Sequence, residues 1–393
     1  MKSDMADDII LFPSLLSTIS LVFILFITYL INEKIRKKLL ISQYRATLIF
    51  FWHNLFVVFY VIYSFIFITD AKVYYIRALQ QENKFDYGSV GIDYIVSFLD
   101  KFHISYLGMF FIFGFFGCLG VLFFDSSIKI ITKHSSKQIK TLSSFLVFLP
   151  SMHFWTSAIG KDSIAFLSVN LAIWSSLNFF KKTLIFYLST LLMFFVRPHI
   201  SVLFLISFVI YQIFNKKTYH YKGITFLIFN ILLLIYLVPI GLNYAGIMNI
   251  ENVWSLASYS LLYDNVIEFI KIRQNVNLTG GSSIIIEDKN TLYQMFTYLY
   301  RPHLFEFHNL KSFYASIDNI ILFLFTFISL FFIFNNKIKG PSYIFLISLF
   351  ISNLFILSKT TANLGIAVRQ KWMIVPLLII LLLSLYTKKK KNE

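Results

Sequence analysis

KKTLIFYLSTLLMFFVRPHISVLFLISFVIYQIFNKK, residues 181–217, decides how this chain must be arranged. Two apolar runs, Thr183 to Val196 and Ile200 to Phe214, flank Arg197-Pro198-His199, and Lys181-Lys182 and Lys216-Lys217 tether their far ends. The runs hold 14 and 15 residues. At 1.5 Å per residue they reach about 20–23 Å, short of the ~30 Å hydrocarbon core. With the lysines held at one surface, the arginine and histidine are drawn below the other. An ionisable group there is costly and marks a functional site by default. A second copy, Arg301-Pro302-His303, follows later in the chain. The pair points to a buried site for an anionic group.

Composition places the chain in the membrane. Of 393 residues, 58% are hydrophobic and only 14% charged, far outside the range of soluble domains. The 47 phenylalanines suit lipid-facing helices and interfacial aromatic belts. The apolar runs are continuous rather than alternating, so the expected fold is all-α: one polytopic helix bundle over 1–393, not a transmembrane barrel. The acidic start through Asp8 lacks a basic n-region, so the first run reads as a retained helix rather than a cleaved signal. The single cysteine, Cys118, leaves no intrachain disulfide.

Eleven candidate spans emerge, over 9–31, 47–69, 105–125, 141–158, 163–180, 183–196, 200–214, 223–243, 317–334, 341–357 and 372–386. With the N-terminus outside and the C-terminus cytoplasmic, twenty of the 35 basic residues fall in short inner loops beside only Glu33, Asp125 and Glu393. The other fifteen share the outer side with sixteen acidic residues. That asymmetry is the positive-inside pattern. The basic charge therefore reports orientation and contact with anionic lipid, not nucleic-acid binding.

Two long outer loops, 70–104 and 244–316, are neither Pro- nor Ser-rich and read as an ordered lid over a membrane-embedded pocket. Ile92, Ile95, Val96, Leu99 and Phe102 recur at helical spacing, with Asp93, Asp100 and Lys101 opposite, which describes an amphipathic helix. Val266, Ile267, Phe269 and Ile270 suggest another, followed by a turn at 280–283; the aromatic stretch Leu292 to Tyr300 is expected to re-enter the interface.

Candidate site residues cluster at the outer ends of the spans. Lys161, Arg197, Arg301, Arg369 and Lys371 supply cations. Arginine suits phosphate oxygens because it offers fixed bidentate geometry and stays charged when desolvated. Three arginines converging from separate hairpins would hold a diphosphate leaving group as charge develops on it. Asp70, Asp162, His199 and His303 are the candidates to orient or deprotonate a hydroxyl. His53 and His153 read as polar core groups, and Gly108, Gly114, Gly117 and Gly120 as sites of close helix packing. There is no Gly-rich phosphate loop and no His/Cys cluster at metal spacing, so neither a cofactor nor a metal is expected. The inner face has too few carboxylates for a magnesium-bound nucleotide sugar, so phosphate chemistry belongs outside, on a lipid-linked substrate.

The order of these motifs resembles the Wzy-type oligosaccharide repeat-unit polymerases of bacterial O-antigen and capsule synthesis. It comprises Asp70 with Tyr74, Gly160-Lys161-Asp162, Arg197-Pro198-His199, Arg301-Pro302, Asn363-Leu364-Gly365 and Val368-Arg369-Gln370-Lys371. The family's Arg-Gln-Arg is here Arg369-Gln370-Lys371. The resemblance implies a membrane glycosyltransferase of the polyprenyl-phosphate-dependent, GT-C-like kind in the bacterial inner membrane. It implies an early carboxylate, Asp70, as base, and glycan donor and acceptor both carried on undecaprenyl diphosphate. A chain-length regulator and a flippase would be its partners. An O-antigen ligase, a polyprenyl-phosphate-sugar-dependent transferase and a flippase of lipid-linked oligosaccharide are the alternatives.

Overall fold

The computed structural model describes residues 14–80, 84–215, 220–249, 261–278, 281–307, 310–333 and 341–386. The first 13 residues, Lys216, Lys217, Thr279, Gly280, His308, Lys337, Lys339 and the lysines from 388 to 391 lie outside them. Among the described residues the regular elements are all helical. Seven helices are long and apolar enough to cross a membrane, or eight if one bent pair is a single span.

Helices α1 (Leu15–Lys38), α2 (Gln43–Ile66) and α5 (Tyr106–Ile131) pack together at the N-terminal side of the bundle. The loop between α2 and α5 carries two short helices, α3 (Asp70–Gln80) and α4 (Ser89–Asp100). The amphipathic helix expected from Ile92, Val96 and Leu99 is α4. Asp93 does not face water, however. It is buried, and it accepts from Arg77 Nε and Nη2 of α3 at 2.6 and 2.9 Å. A bidentate pair of this kind fixes one helix against its neighbour.

The glycines of α5 do what small residues do in membrane helices. A Cβ at Gly117 would sit 2.1 Å from the Thr156 carbonyl, and one at Gly120 would sit 2.6 Å from the Phe166 ring. The space goes to α7 (Pro150–Trp155) and α8 (Lys161–Ser176), and α8 is buried along nearly its whole length. His53 and His153 meet there through their Nδ1 atoms, 2.9 Å apart, both without exposure. His153 Nε2 donates to the Val147 carbonyl at 2.9 Å. In the neutral form its Nδ1 must then accept, so His53 Nδ1 donates.

The stretch 141–158 is not one span. It divides into α6 (Lys137–Leu146) and α7, because Pro150 lacks a backbone N–H and takes the first position of a new helix. Helix α9 (Phe179–Val196) starts before Lys181-Lys182 and, at 18 residues, is one of the seven long enough to cross, so the first run is longer than expected. Helix α10 (Pro198–Phe214) is the shorter apolar helix, and one residue, Arg197 (φ −150°, ψ 77°), parts the two. Pro198 opens α10 for the same reason that Pro150 opens α7. Then come α11 (Tyr221–Ala245), α12 (Leu262–Asn277), α13 (Thr291–Tyr300), α14 (Leu310–Ile333) and α15 (Pro341–Thr360). Helix α10 packs between α9, α11 and α15.

The final apolar run is also broken. Helix α16 (Leu364–Gln370) and a 3-10 turn, Lys371–Met373, precede α17 (Val375–Ser384), with a bend of 54° between the two arms. Every residue of α17 is buried, so it forms the centre of the bundle rather than a lipid-facing wall.

The ends of the bundle differ in chemistry. At the start of α2, Arg45 joins the fully buried Asp125 at 2.6 Å, and Lys129 adds a second cation at 2.8 Å. Asp70 follows the far end of α2. The 24 residues of that helix separate the two places by about 36 Å.

Candidate functional site

Four ionic side chains from distant parts of the chain form one network. Asp162, in the first turn of α8, accepts from Arg197 Nη2 at 2.8 Å through Oδ1. Its Oδ2 lies 3.0 Å from Arg369 Nε. Arg369 Nη1 in turn donates to Asp70 Oδ2. Lys161 stands beside them and donates to Ser89 Oγ at 3.0 Å.

Local sequence places each of these groups. Gly160 (φ +152°) makes the turn into α8, where a Cβ would meet the Tyr74 ring at 3.4 Å. Arg197 is the break between α9 and α10, so both helices aim at it. Asn363 caps α16, its Oδ1 accepting from the N–H groups of Gly365 at 2.9 Å and Ile366 at 3.2 Å. The Asn363-Leu364-Gly365 motif thereby sets the helix that carries Arg369. Backbone pairing of Ile284 N–H with Ala362 O and Leu364 N–H with Ser282 O, both at 2.9 Å, ties residues 282–284 to the same place.

Beside this network lies a cavity of about 460 Å³. Lys161, Arg197, His199, Arg273 and Arg369 form its polar end. Aliphatic side chains supply much of the remaining wall, from Val202, Leu203 and Ile206 of α10, Val238 and Leu242 of α11, and Ile356 and Leu357 of α15, with Phe269, Asn277, Thr360, Thr361 and Gln370 completing it. His199 is stacked on Tyr244 at 5.6 Å, and its Nδ1 is buried without a partner among the described residues. Across the network from this cavity is a slot of about 10 Å³, room for one water, walled by Tyr60, Tyr74 and Trp155 with Asp70, Asp162 and Arg369. Lys161 and Arg369 face both spaces.

Not every expected cation arrives here. The structure brings Lys161, Arg197 and Arg369 together with Asp70 and Asp162. Arg301 does not line the cavity; its guanidinium grips Glu306 Oε1 from Nη2 at 2.6 Å and from Nε at 3.0 Å. His303 sits in the same turn, its N–H donating to Glu306 at 2.9 Å. Lys371 is fully buried and donates to Asn319 Oδ1, with the carboxylate of Asp318 close by. Asn319 Nδ2 reaches the Pro302 carbonyl at 3.0 Å, and Asp318 Oδ2 accepts from the Ser151 N–H at 2.8 Å. Lys371 therefore joins α7, α14 and the Arg301-Pro302 turn, outside the cavity.

Arg273 of α12 is the cavity residue that sequence reasoning missed. A signal was available: like Arg369 it is an arginine in a segment that the sequence assigns to the outer side, against the positive-inside trend. Its helix is docked on the end of α15 by Gln274 Nε2 to Lys359 O at 2.7 Å and Asn277 Nδ2 to Thr360 O at 2.9 Å.

No family model matches the chain, and neither a curated protein nor a solved structure is detectably similar to it. The fold and site define an all-helical protein with several helices suited to a membrane and a cationic cavity at one end.

Proposed function

We propose that this protein is an integral membrane glycosyltransferase that polymerises undecaprenyl-diphosphate-linked oligosaccharide units at the extracytoplasmic face of the bacterial inner membrane. The observation that carries this reading is the cavity's two-part chemistry. Lys161, Arg197, Arg273 and Arg369 outnumber Asp70 and Asp162 by two positive charges, and aliphatic side chains of α10, α11 and α15 supply much of the remaining wall. A diphosphate diester carries about two negative charges and an isoprenoid tail is aliphatic, so both halves of such a donor find complementary surroundings.

In the reaction, a hydroxyl oxygen of the acceptor sugar bonds to the donor's anomeric carbon. The bond from that carbon to the diphosphate oxygen breaks, and its electron pair leaves on the diphosphate. Arg197, Arg369 and Lys161 neutralise that developing charge. The hydroxyl proton passes to Asp70, the more exposed of the two carboxylates (57% against 19%). Asp162, held between two guanidiniums, orients them. His199 faces the same cavity and is available to hydrogen-bond a substrate oxygen.

The charged cavity groups crowd one end of the bundle. A flippase would need polar groups along a path through both leaflets, so this distribution favours a transferase. Deleting the gene tests the reading. A polymerase loss leaves surface glycan capped at one repeat unit; glycan missing from the lipid core would indicate a ligase, and glycan trapped on cytoplasmic lipid a flippase.

A further inference from the structure

Arg369 belongs to two spaces at once. It lines the large cavity and the aromatic slot, and it pairs with Asp70 and Asp162, which also wall that slot. At about 10 Å³ the slot cannot hold a sugar ring while this contact is made. Its walls nevertheless have a sugar's complement: the faces of Tyr60, Tyr74 and Trp155 for C–H surfaces and a carboxylate for a hydroxyl.

The guanidiniums retain unspent donors. Arg197 Nε is buried and has no hydrogen-bond partner among the described residues. Arg369 Nε is near Asp162 but off the line of its N–H, so that hydrogen is unspent too. Buried N–H groups without acceptors are uncommon, and an arriving anion would satisfy both. Four cations against two carboxylates also leave the cluster short of negative charge. A diphosphate offers bidentate oxygens and twice the charge of one carboxylate, so it competes well for Arg369. Of the two carboxylates, Asp70 is the one to be displaced. Its side chain is 57% exposed, so water can solvate it on release, whereas Asp162 remains held by Arg197.

We infer that Arg369 is a two-position latch: unliganded it closes the slot by pairing with Asp70, and drawn to a diphosphate in the cavity it frees Asp70 and opens the slot to an acceptor sugar hydroxyl. This rests on the diphosphate reading of the cavity. The latch makes the base available only once a donor is seated, which keeps the carboxylate occupied until transfer is possible.

The test uses the full chain in lipid nanodiscs with inorganic pyrophosphate as probe. Calorimetry measures pyrophosphate binding. Carbodiimide coupling of an amine, read by peptide mass spectrometry, measures the accessibility of Asp70, with the exposed Asp86 as internal control. Saturating pyrophosphate should raise Asp70 coupling at least fivefold and leave Asp86 unchanged. Arg369→Gln should show the raised level with no pyrophosphate. The wild-type response stands by itself should that variant fail to fold. Trp155 reports the slot independently: pyrophosphate should change tryptophan fluorescence, and Trp155→Phe should remove most of that change. Pyrophosphate that binds without altering Asp70 coupling overturns the latch alone. Pyrophosphate that does not bind overturns both the latch and the diphosphate reading.

Discussion

Arg197 Nη2 lies 2.8 Å from Asp162 Oδ1, joining the break between α9 and α10 to the first turn of α8. The pair is largely buried, at 8% and 19% side-chain exposure. Arg197 therefore has little freedom to leave, and it is the fixed point of the cavity's polar end. Replacing it by Ala should abolish chain elongation, by 100-fold or more, while membrane insertion is retained. Arg197→Lys should recover only part, since an ammonium cannot grip two oxygens in one plane. Glycan length on gels and protein abundance in membrane fractions separate the two effects; long-chain glycan from Arg197→Ala would remove the residue from the mechanism.

Arg273 is exposed at the cavity lining and has no ion pair among the described residues. Arg273→Gln should weaken pyrophosphate binding about 5–10-fold, and the difference from wild type should shrink at high salt because exposed charges are screened within about 10 Å at 0.1 M. Thermal stability should not change. Calorimetry at two ionic strengths checks this.

Lys371 acts differently from Arg369 despite standing two residues away. Lys371→Met leaves the buried Asn319 Oδ1 without its donor and removes the cation nearest Asp318, which costs about 1–3 kcal/mol. The variant should lose thermal stability and abundance, and whatever folds should bind pyrophosphate normally. Adding Asp318→Asn should recover part of the loss, and a double-mutant cycle on melting temperature measures the coupling.

Gly117→Ala should destabilise the bundle by about 1–3 kcal/mol, because the new methyl meets the Thr156 carbonyl backbone, which cannot rotate away. Gly281→Ala, where a Cβ has open space, serves as the neutral control. Melting curves in detergent would distinguish the two.

The Arg301–Glu306 turn gives a pH effect of known sign. Burial pushes the Glu306 carboxyl up, but hydrogen bonds from Arg301 and the His303 N–H, together with the charge of Arg301, outweigh it and hold it below the ordinary 4.5. A folded value below the unfolded one means the contribution is full above pH 4.5 and lost as pH falls through the lowered value. Being partly solvent-screened, it is worth up to about 1 kcal/mol. Glu306→Gln should flatten the stability profile below pH 4.5 and leave pyrophosphate affinity intact. A change in affinity would place Arg301 at the anion site after all.

Arg197 was legible from sequence as an ionisable residue breaking two apolar runs, although the first of them belongs to a helix long enough to cross. Gly160-Lys161-Asp162 falls in the short gap between the expected spans 141–158 and 163–180, and its glycine has a positive φ there. Arg369 and Lys371 looked equivalent in the sequence. On a helix they point about 200° apart, so one enters the cavity and the other the protein interior. Arg301 looked like a copy of Arg197, yet Glu306, five residues on, captures its guanidinium.

The sequence by itself determined the helical class and its apolar runs, because a chain in a bilayer must pair its backbone groups within each segment. It also marked the helix break at Pro198, which depends on backbone hydrogen bonding within a few residues. Only the tertiary structure decided which charges meet. Asp70 and Arg369 lie 299 residues apart, and their contact depends on how α2, α8 and the broken final helix pack, a property of side-chain volumes summed over the whole core.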